Sequence, residues 1–483
     1  MSDPSSITCA LADSPQQQTW IDQTLIKVIR NVPGLKRMAG ADWLLTAFRG
    51  TTWTMAGYGG SQLLRLASMV ILARHLLGPK AYGLVALTNV FITGLTMLTD
   101  MGIGTDVIQH RRGDDPVFVN TAFLIGAGRG AILWVLASLL AYPFASFYRQ
   151  PAVVPLAMVA ASSVLFMGFN SGSVYTLTRH VQLGGLTILR LVAEATGLGV
   201  SIVWALASPT AWALVAGRVA ADFVFAAGTH FIGVQRMSLE WDTQAAREIL
   251  AFGAGMFAST ATYFLAGEAE RLVVGKFVDL VALGCFSLAL SITAAATGPF
   301  QRLLAQVFYP MIASAARADE EAAARQFRKG RILVLAASGC VALAFIIGGK
   351  WIVALLLGPK YVMAGWILQL LGFRGAWEVY STAPTQMLFA LGKSRYAAFG
   401  NLSRLCFLAV GLTVAFTRFG FREAVWVLAM GPLVTYFSVL VGLARHLRTV
   451  LRSEVVCALA LLTAAILAGV VASLLSASVG VRL

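Results

Sequence analysis

The chain has 483 residues, 58% of them hydrophobic and only 12% charged, with a formal net charge of +15 and a mean hydropathy of +0.76. That balance departs from soluble globular chains and fits a polytopic helical membrane protein. The cations fall where membrane topology puts them, so the positive charge is not read as nucleic-acid binding. The five cysteines have no paired spacing, which argues against a disulfide framework or a metal cluster.

The first fifty residues contain no basic n-region followed by an apolar stretch and a small-residue cleavage site, so no cleavable signal peptide is expected. Between Gln16 and Val32, the residues Ile21, Leu25, Val28, Ile29 and Val32 recur at helical spacing beside Lys27 and Arg30. That pattern suits an amphipathic helix in the cytoplasmic interface, or one packed under the bundle. Apolar windows of about 20 residues, enough to cross ~30 Å of hydrocarbon, follow at 52–75, 82–107, 117–144, 152–178, 186–207 and 211–233. After a polar break they resume at 248–275, 279–312, 330–357, 362–391, 395–417, 421–445 and 454–478. The fold expected is all-α, with thirteen spans. An N-lobe occupies 51–233 and a cytoplasmic linker 234–247; a C-lobe fills 248–446, and one more helix lies in 447–483. Twenty Lys and Arg fall on the side of the N-terminus, nine on the opposite side and eight inside the spans, out of 37. Cytoplasmic loops retain positive charge, which places the N-terminus in the cytoplasm.

The two lobes repeat. Ala211-Trp212-Ala213-Leu214-Val215-Ala216-Gly217 is echoed by Val425-Trp426-Val427-Leu428-Ala429-Met430-Gly431 at an offset of 214, where Phe223 also meets Phe437 and Arg190 meets Arg404. Gly83 pairs with Gly284 at an offset of 201. Six spans per copy leave both copies in one orientation, related by an axis along the membrane normal. Transporters built this way bind near the midplane between their halves and rock to alternate access. Leu-Leu-Gly-Pro-Lys also recurs, at 76–80 and 356–360, closing non-equivalent helices with a Gly-then-Pro turn. Pro299, Pro384 and Pro432 interrupt spans and are candidate hinges.

Eight arginines and no lysine lie inside the apolar runs: Arg65, Arg129, Arg190, Arg218, Arg271, Arg302, Arg374 and Arg404. An ionised group at bilayer depth costs at least ~2.5–3.5 kcal/mol, so it faces a bundle interior, a wet cavity or a partner. A guanidinium is always charged, and its planar fork matches phosphate oxygens. Arg190, Arg218 and Arg374 have Glu194, Asp222 and Glu378 four residues on, the spacing of a helical ion pair. Such a pair is either structural or an exchangeable element of a gated cavity. Arg65, Arg129 and Arg404 have no acid within four residues. They require a ligand phosphate or a carboxylate from another helix, and Asp100, Glu268 and Glu270 are available. Arg302 can snorkel, and Arg271 lies beside Glu268 and Glu270. The candidate substrate path therefore comprises Arg65, Arg129, Arg190, Arg271, Arg302, Arg374 and Arg404. The candidate coupling or ion-pair acids are Asp100, Glu194, Asp222, Glu268, Glu270 and Glu378. Glu268 and Glu270 are close enough at membrane depth for proton coupling, although a spacing of two turns them about 200° apart on a helix. No cofactor or metal is expected, and coupling to protons or Na+ stays open.

The run Arg65-Leu-Ala-Ser-Met-Val-Ile-Leu-Ala-Arg-His-Leu-Leu-Gly-Pro-Lys-Ala-Tyr-Gly-Leu-Val-Ala-Leu, followed by Thr99-Asp100-Met-Gly-Ile-Gly-Thr-Asp-Val-Ile-Gln, resembles the opening spans of Wzx-type oligosaccharide flippases. These belong to the multidrug/oligosaccharidyl-lipid/polysaccharide (MOP) exporter superfamily, with the multidrug extruders and lipid II flippases. The resemblance extends over about residues 50–450. It implies a V-shaped two-lobed bundle in the bacterial cytoplasmic (inner) membrane. Such a protein moves undecaprenyl-pyrophosphate-linked oligosaccharide repeat units to the periplasmic leaflet for exopolysaccharide, capsule or O-antigen synthesis. Transport would use alternating access through a cationic inter-lobe cavity, with polysaccharide polymerase or chain-length machinery as partners. The family usually shows twelve or fourteen spans, and this chain departs with thirteen. No P-loop is present and no covalent chemistry is needed, so a transporter is expected and not an enzyme. An extruder-like cation/proton antiporter is the alternative, but it would favour a cavity of acids and aromatics, against eight buried Arg and about seven acids here. A glycan polymerase or ligase would need a large outer loop, and the outer loops are short.

Overall fold

The computed structural model describes residues 42–98, 102–232 and 238–478. The amphipathic segment at 16–32 and Asp100 lie outside the described residues. Within them the chain is helical, with no strand: α1 Asp42–Ile71, α2 Pro79–Leu98, α3 Ile103–Gln109, α4 Pro116–Tyr148, α5 Val153–Ala160, α6 Ser162–Gly168, α7 Ser173–Arg179, α8 Leu183–Ala207 and α9 Ala211–Ile232. The second half holds α10 Thr243–Phe277, α11 Leu280–Leu303, α12 Tyr309–Ala318, α13 Glu320–Leu356, α14 Val362–Ala390, α15 Arg395–Arg418, α16 Phe421–His446 and α17 Arg448–Ser478.

Local chemistry sets several of the helix starts. Asp115, Asp242 and Asp279 cap α4, α10 and α11 by accepting from the backbone N–H of Val117, Gln244 and Ala282, satisfying donors that a first turn leaves open. Gly358 and Gly420 adopt φ of +83° and +131° at the turns before α14 and α16, a region that disfavours residues with a Cβ. Among the described residues eight helices are long and apolar enough to cross a membrane. A ninth span forms if Val153–Gly168 and Ser173–Arg179, bent by 59°, count as one. Of the thirteen expected spans, those at 52–75, 82–107, 152–178, 248–275 and 362–391 are not among the eight. The window at 152–178 is broken into α5, α6 and α7, and that at 82–107 is interrupted before α3, which opens from Gly102 in the left-handed region (φ +57°). Helix α14 is not among the eight, because Gln369, Arg374 and Glu378 interrupt its apolar run. It packs on α11, α13 and α16, so protein surrounds much of it where lipid surrounds other spans.

In the first bundle α8 packs on α1 and α9; in the second, α13 packs on α14 and α17, and α15 on α16. The bundles cross at α2 and α11. A Cβ on Gly83 would come within 2.0 Å of Leu280 O, and a Cβ on Gly284 within 1.9 Å of Pro79 O. The contact is reciprocal: Pro79 and Gly83 meet Leu280 and Gly284, and each pair is separated by the 201-residue offset of the sequence repeat. Reciprocity of this kind is what a two-fold axis produces, and only glycine lets the backbones approach so closely. At the same far end the Tyr361 hydroxyl donates to Leu77 O at 3.1 Å, and Arg74 donates to Leu355 O. The two Leu-Leu-Gly-Pro-Lys turns thus abut each other.

Helix α10 opens the second half of the chain yet packs mainly on the first. At the linker end, Ala245 and Ile249 join Val107, Phe118, Val119 and Ala122 in one apolar cluster. There Arg112 bonds both Asp115 and Asp242 at 2.8 Å, drawing the caps of α4 and α10 together. At the far end the Tyr148 hydroxyl donates to Leu272 O at 3.0 Å, and Lys276 donates to Phe147 O. The linker is structured from Ser238 to Asp242, held by Asn120 and Thr121, and α10 begins at Thr243, before the expected boundary at 248.

Candidate functional site: a shared-carboxylate arginine cluster

The cluster forms where α10 meets α14 and α15. Glu270 is buried, and its two oxygens serve two guanidiniums: Oε1 accepts from Arg404 Nη2 at 2.7 Å, and Oε2 accepts from Arg374 Nη1. Arg374 also donates through Nε to Glu378 Oε1 at 2.9 Å, with Arg404 Nη2 3.7 Å from that atom. Two cations and two anions thus form one neutral network, as burial requires. It is incomplete, since Arg404 Nε is buried with no hydrogen-bond partner among the described residues. A cavity of about 170 Å³ adjoins the network, lined by Glu270, Arg271, Leu290, Thr293, Ala294, Thr297, Gln301, Arg374 and Glu378.

The first bundle carries a looser counterpart. Glu194 Oε1 on α8 lies 3.8 Å from Arg65 on α1 and 3.8 Å from Arg190 on α8. These arginines are 66% and 49% exposed, against 11% and 20% for Arg374 and Arg404. The difference traces to the sequence. Arg190 and Arg404 correspond at the 214-residue offset, but Leu408 stands at the position matching Glu194, so the second bundle draws its carboxylate from α10.

The remaining predicted residues are dispersed. Glu268 bonds Arg271 at 2.8 Å and turns away from Glu270, so the two carboxylates do not share one environment. Asp222, buried, bonds Arg218 at 2.7 Å, the simple helical pair. Arg129 donates to Thr96 O at 2.9 Å. Arg302 lies over the Tyr58 ring at 3.6 Å, where Gly298 leaves room for the Tyr58 hydroxyl. This contact joins α11 to α1, immediately before the π-helical turn Leu304–Phe308.

Sequence reasoning missed one buried pair. Arg331, one of the twenty cations counted on the side of the N-terminus, is 3% exposed and bonds Glu454, 0% exposed, across 123 residues. Tyr436 donates to Glu454 Oε1 at 3.1 Å, Arg331 donates to Tyr380 O at 2.8 Å, and its guanidinium lies 3.6 Å from the Tyr380 ring. The basic run Arg328-Lys329-Gly330-Arg331 reads as solvated, and nothing local to it signals a partner on α17.

A family model described as "Polysaccharide biosynthesis protein" matches residues 71–364. The teichuronic acid biosynthesis protein TuaB of Bacillus subtilis (strain 168) is 20% identical over 348 residues, covering 70% of each chain. The lipid II flippase MurJ in an inward closed conformation aligns with a TM-score of 0.65 at 11% identity, over 89% of this chain and 99% of that one. An inward-facing multidrug resistance MATE family transporter of the MOP superfamily aligns with a TM-score of 0.60 at 14% identity, over 83% and 96%. The expected MOP-type all-α fold is therefore the fold observed.

Proposed function

Because the chain belongs to the polysaccharide biosynthesis protein family, we propose that it is a flippase carrying polyprenyl-pyrophosphate-linked oligosaccharide repeat units from the cytoplasmic to the periplasmic leaflet. The protein sits in the bacterial inner membrane with its N-terminus in the cytoplasm. Pyrophosphate and glycan occupy the space between the bundles while the polyprenyl tail stays in lipid. The observation that carries this reading is the Arg374–Arg404 pair around one buried carboxylate, beside a polar cavity and with a spare donor at Arg404 Nε. Forked donors converging on one anion suit a phosphate, and they lower the cost of carrying its charge through a low-dielectric interior. Arg65 and Arg190 in the first bundle form the second contact of the path, with Arg129, Arg271 and Arg302 along it. No covalent step is involved. The driving force is a proton or Na+ gradient, the membrane potential, or removal of product by a polymerase. Cation export is disfavoured, because Glu194, Asp222, Glu268, Glu270 and Glu378 each face an arginine and are not available to a cationic drug.

The test is depletion of the protein, followed by scoring lipid-linked repeat units for accessibility to a membrane-impermeant glycosidase in oriented vesicles. Accumulation on the cytoplasmic face, relieved by the wild-type gene, supports flipping. No accumulation, with new sensitivity to cationic compounds, would shift the protein to drug export.

A further inference from the structure

We infer that Glu270 is the specificity-determining residue of this site: a tethered anion occupying the arginine pair that a ligand phosphate must take over. The inference rests on the flippase reading above and adds to it the charge rule by which a ligand is admitted.

The geometry points this way first. Glu270 offers its two oxygens to two guanidiniums on different helices, the arrangement in which two phosphoryl oxygens would bridge the same pair. If Glu270 leaves, Arg374 and Arg404 retain only Glu378, and an uncompensated buried cation remains. A neutral sugar or an alcohol headgroup cannot repair that deficit. A pyrophosphate, with more charge and more oxygens than the carboxylate it displaces, can also satisfy the donor at Arg404 Nε left open with Glu270 in place. The cavity at Glu270, with Thr293, Thr297 and Gln301 on its wall, gives the incoming group a place beside the carboxylate before exchange.

The mechanical setting makes the exchange consequential. Helix α10 is fastened to the first bundle at both ends, through Asp242–Arg112, the Tyr148–Leu272 bond and Lys276. Among the described residues its polar ties to the second bundle are the Glu270 bridges, and at the far end Phe277 stacks on Phe416 at 4.8 Å. Displacing Glu270 therefore severs the buried ionic link between α10 and the second bundle, so ligand binding and release of the bundles become one event. A ligand shifts such an equilibrium only by its differential affinity for the two states, and occupancy by Glu270 lowers the apparent affinity by the fraction of sites it holds.

Full-length protein in lipid nanodiscs is tested with farnesyl pyrophosphate, farnesyl monophosphate and farnesol. Wild type binds the pyrophosphate in preference to the monophosphate and does not bind farnesol. Glu270→Gln binds the pyrophosphate about tenfold or more tightly and gains binding of the monophosphate. Unchanged or weakened affinity in Glu270→Gln, with selectivity intact, overturns the inference. Should that variant fail to fold, wild type decides the matter through dicyclohexylcarbodiimide labelling of Glu270 read by mass spectrometry. Labelling that rises with farnesyl pyrophosphate and not with farnesol supports displacement, and labelling indifferent to saturating pyrophosphate refutes it. Arg404→Ala separates the two readings. If it abolishes pyrophosphate binding, the phosphate site stands and Glu270→Gln alone decides the competition. If it binds like wild type, the phosphate site and the inference fall together.

Discussion

Replacing Glu454 by alanine strands Arg331 in the interior of the second bundle. The guanidinium is 3% exposed, and its remaining bond, to Tyr380 O at 2.8 Å, is to a neutral carbonyl. Breaking a buried ion pair from one side costs ~3–5 kcal/mol. The Tyr436 hydroxyl also loses the acceptor it meets at 3.1 Å. The single variant should therefore lose about 3–5 kcal/mol, a large fraction of the stability of a folded domain. Replacing both members by apolar residues, Arg331→Met with Glu454→Leu, removes the stranded charge and should be near neutral or stabilising by up to ~4 kcal/mol. Thermal unfolding of purified protein in detergent, followed by tryptophan fluorescence across the double-mutant cycle, reads both effects. A Glu454→Ala variant that melts with wild type, or a double variant no more stable than the worse single one, refutes the account of α17 as held by this pair.

Gly83→Ala and Gly284→Ala each drive a Cβ to within about 2 Å of a backbone carbonyl on the facing helix, so each should cost more than the usual ~1–3 kcal/mol of overpacking; detergent melting curves check it, and two tolerated variants would contradict the crossing. The hydrogen bond from Arg112 holds the Asp242 carboxyl below its usual range. A depressed carboxylate stabilises above its unfolded pKa of about 3.9 and loses that contribution as pH falls through the folded value. Amide protection of residues 110–121 and 238–246 should thus stay level from about pH 8 to pH 5 and fall below about pH 4. Loss of that protection already between about pH 8 and pH 6 would contradict a role for the Asp242–Arg112 pair. Arg65→Ala, in the exposed counterpart cluster, should leave the melting temperature unchanged while lowering transport; a stability loss as large as that of Arg374→Ala would make Arg65 structural.

Eight of the thirteen expected span positions were legible, because lipid imposes a length and apolarity that a sequence must display. The repeat was legible at Gly83 and Gly284, since the close approach there admits no side chain. Arg374–Glu378 and Arg218–Asp222 could be read at helical spacing. Glu270 could only be suspected: its partners lie 104 and 134 residues away, and Arg404, with no local acid, signalled a missing counter-charge without saying where it came from. Arg331–Glu454 escaped because the basic run that holds Arg331 reads as solvated and its partner lies 123 residues away. The packing of α10 on the first bundle also left no local trace, being set by caps and carbonyl contacts at its two ends.

The most direct test of the central claim is complementation of a depleted strain by Arg404→Ala and Arg404→Lys, each shown to insert and fold like wild type, with lipid-linked repeat units on the cytoplasmic face as the readout. Because a lysine ammonium cannot reproduce the forked contact, both variants should leave the units stranded inside, with Lys retaining at most partial function. Full clearance by Arg404→Ala would contradict a phosphate path through this cluster.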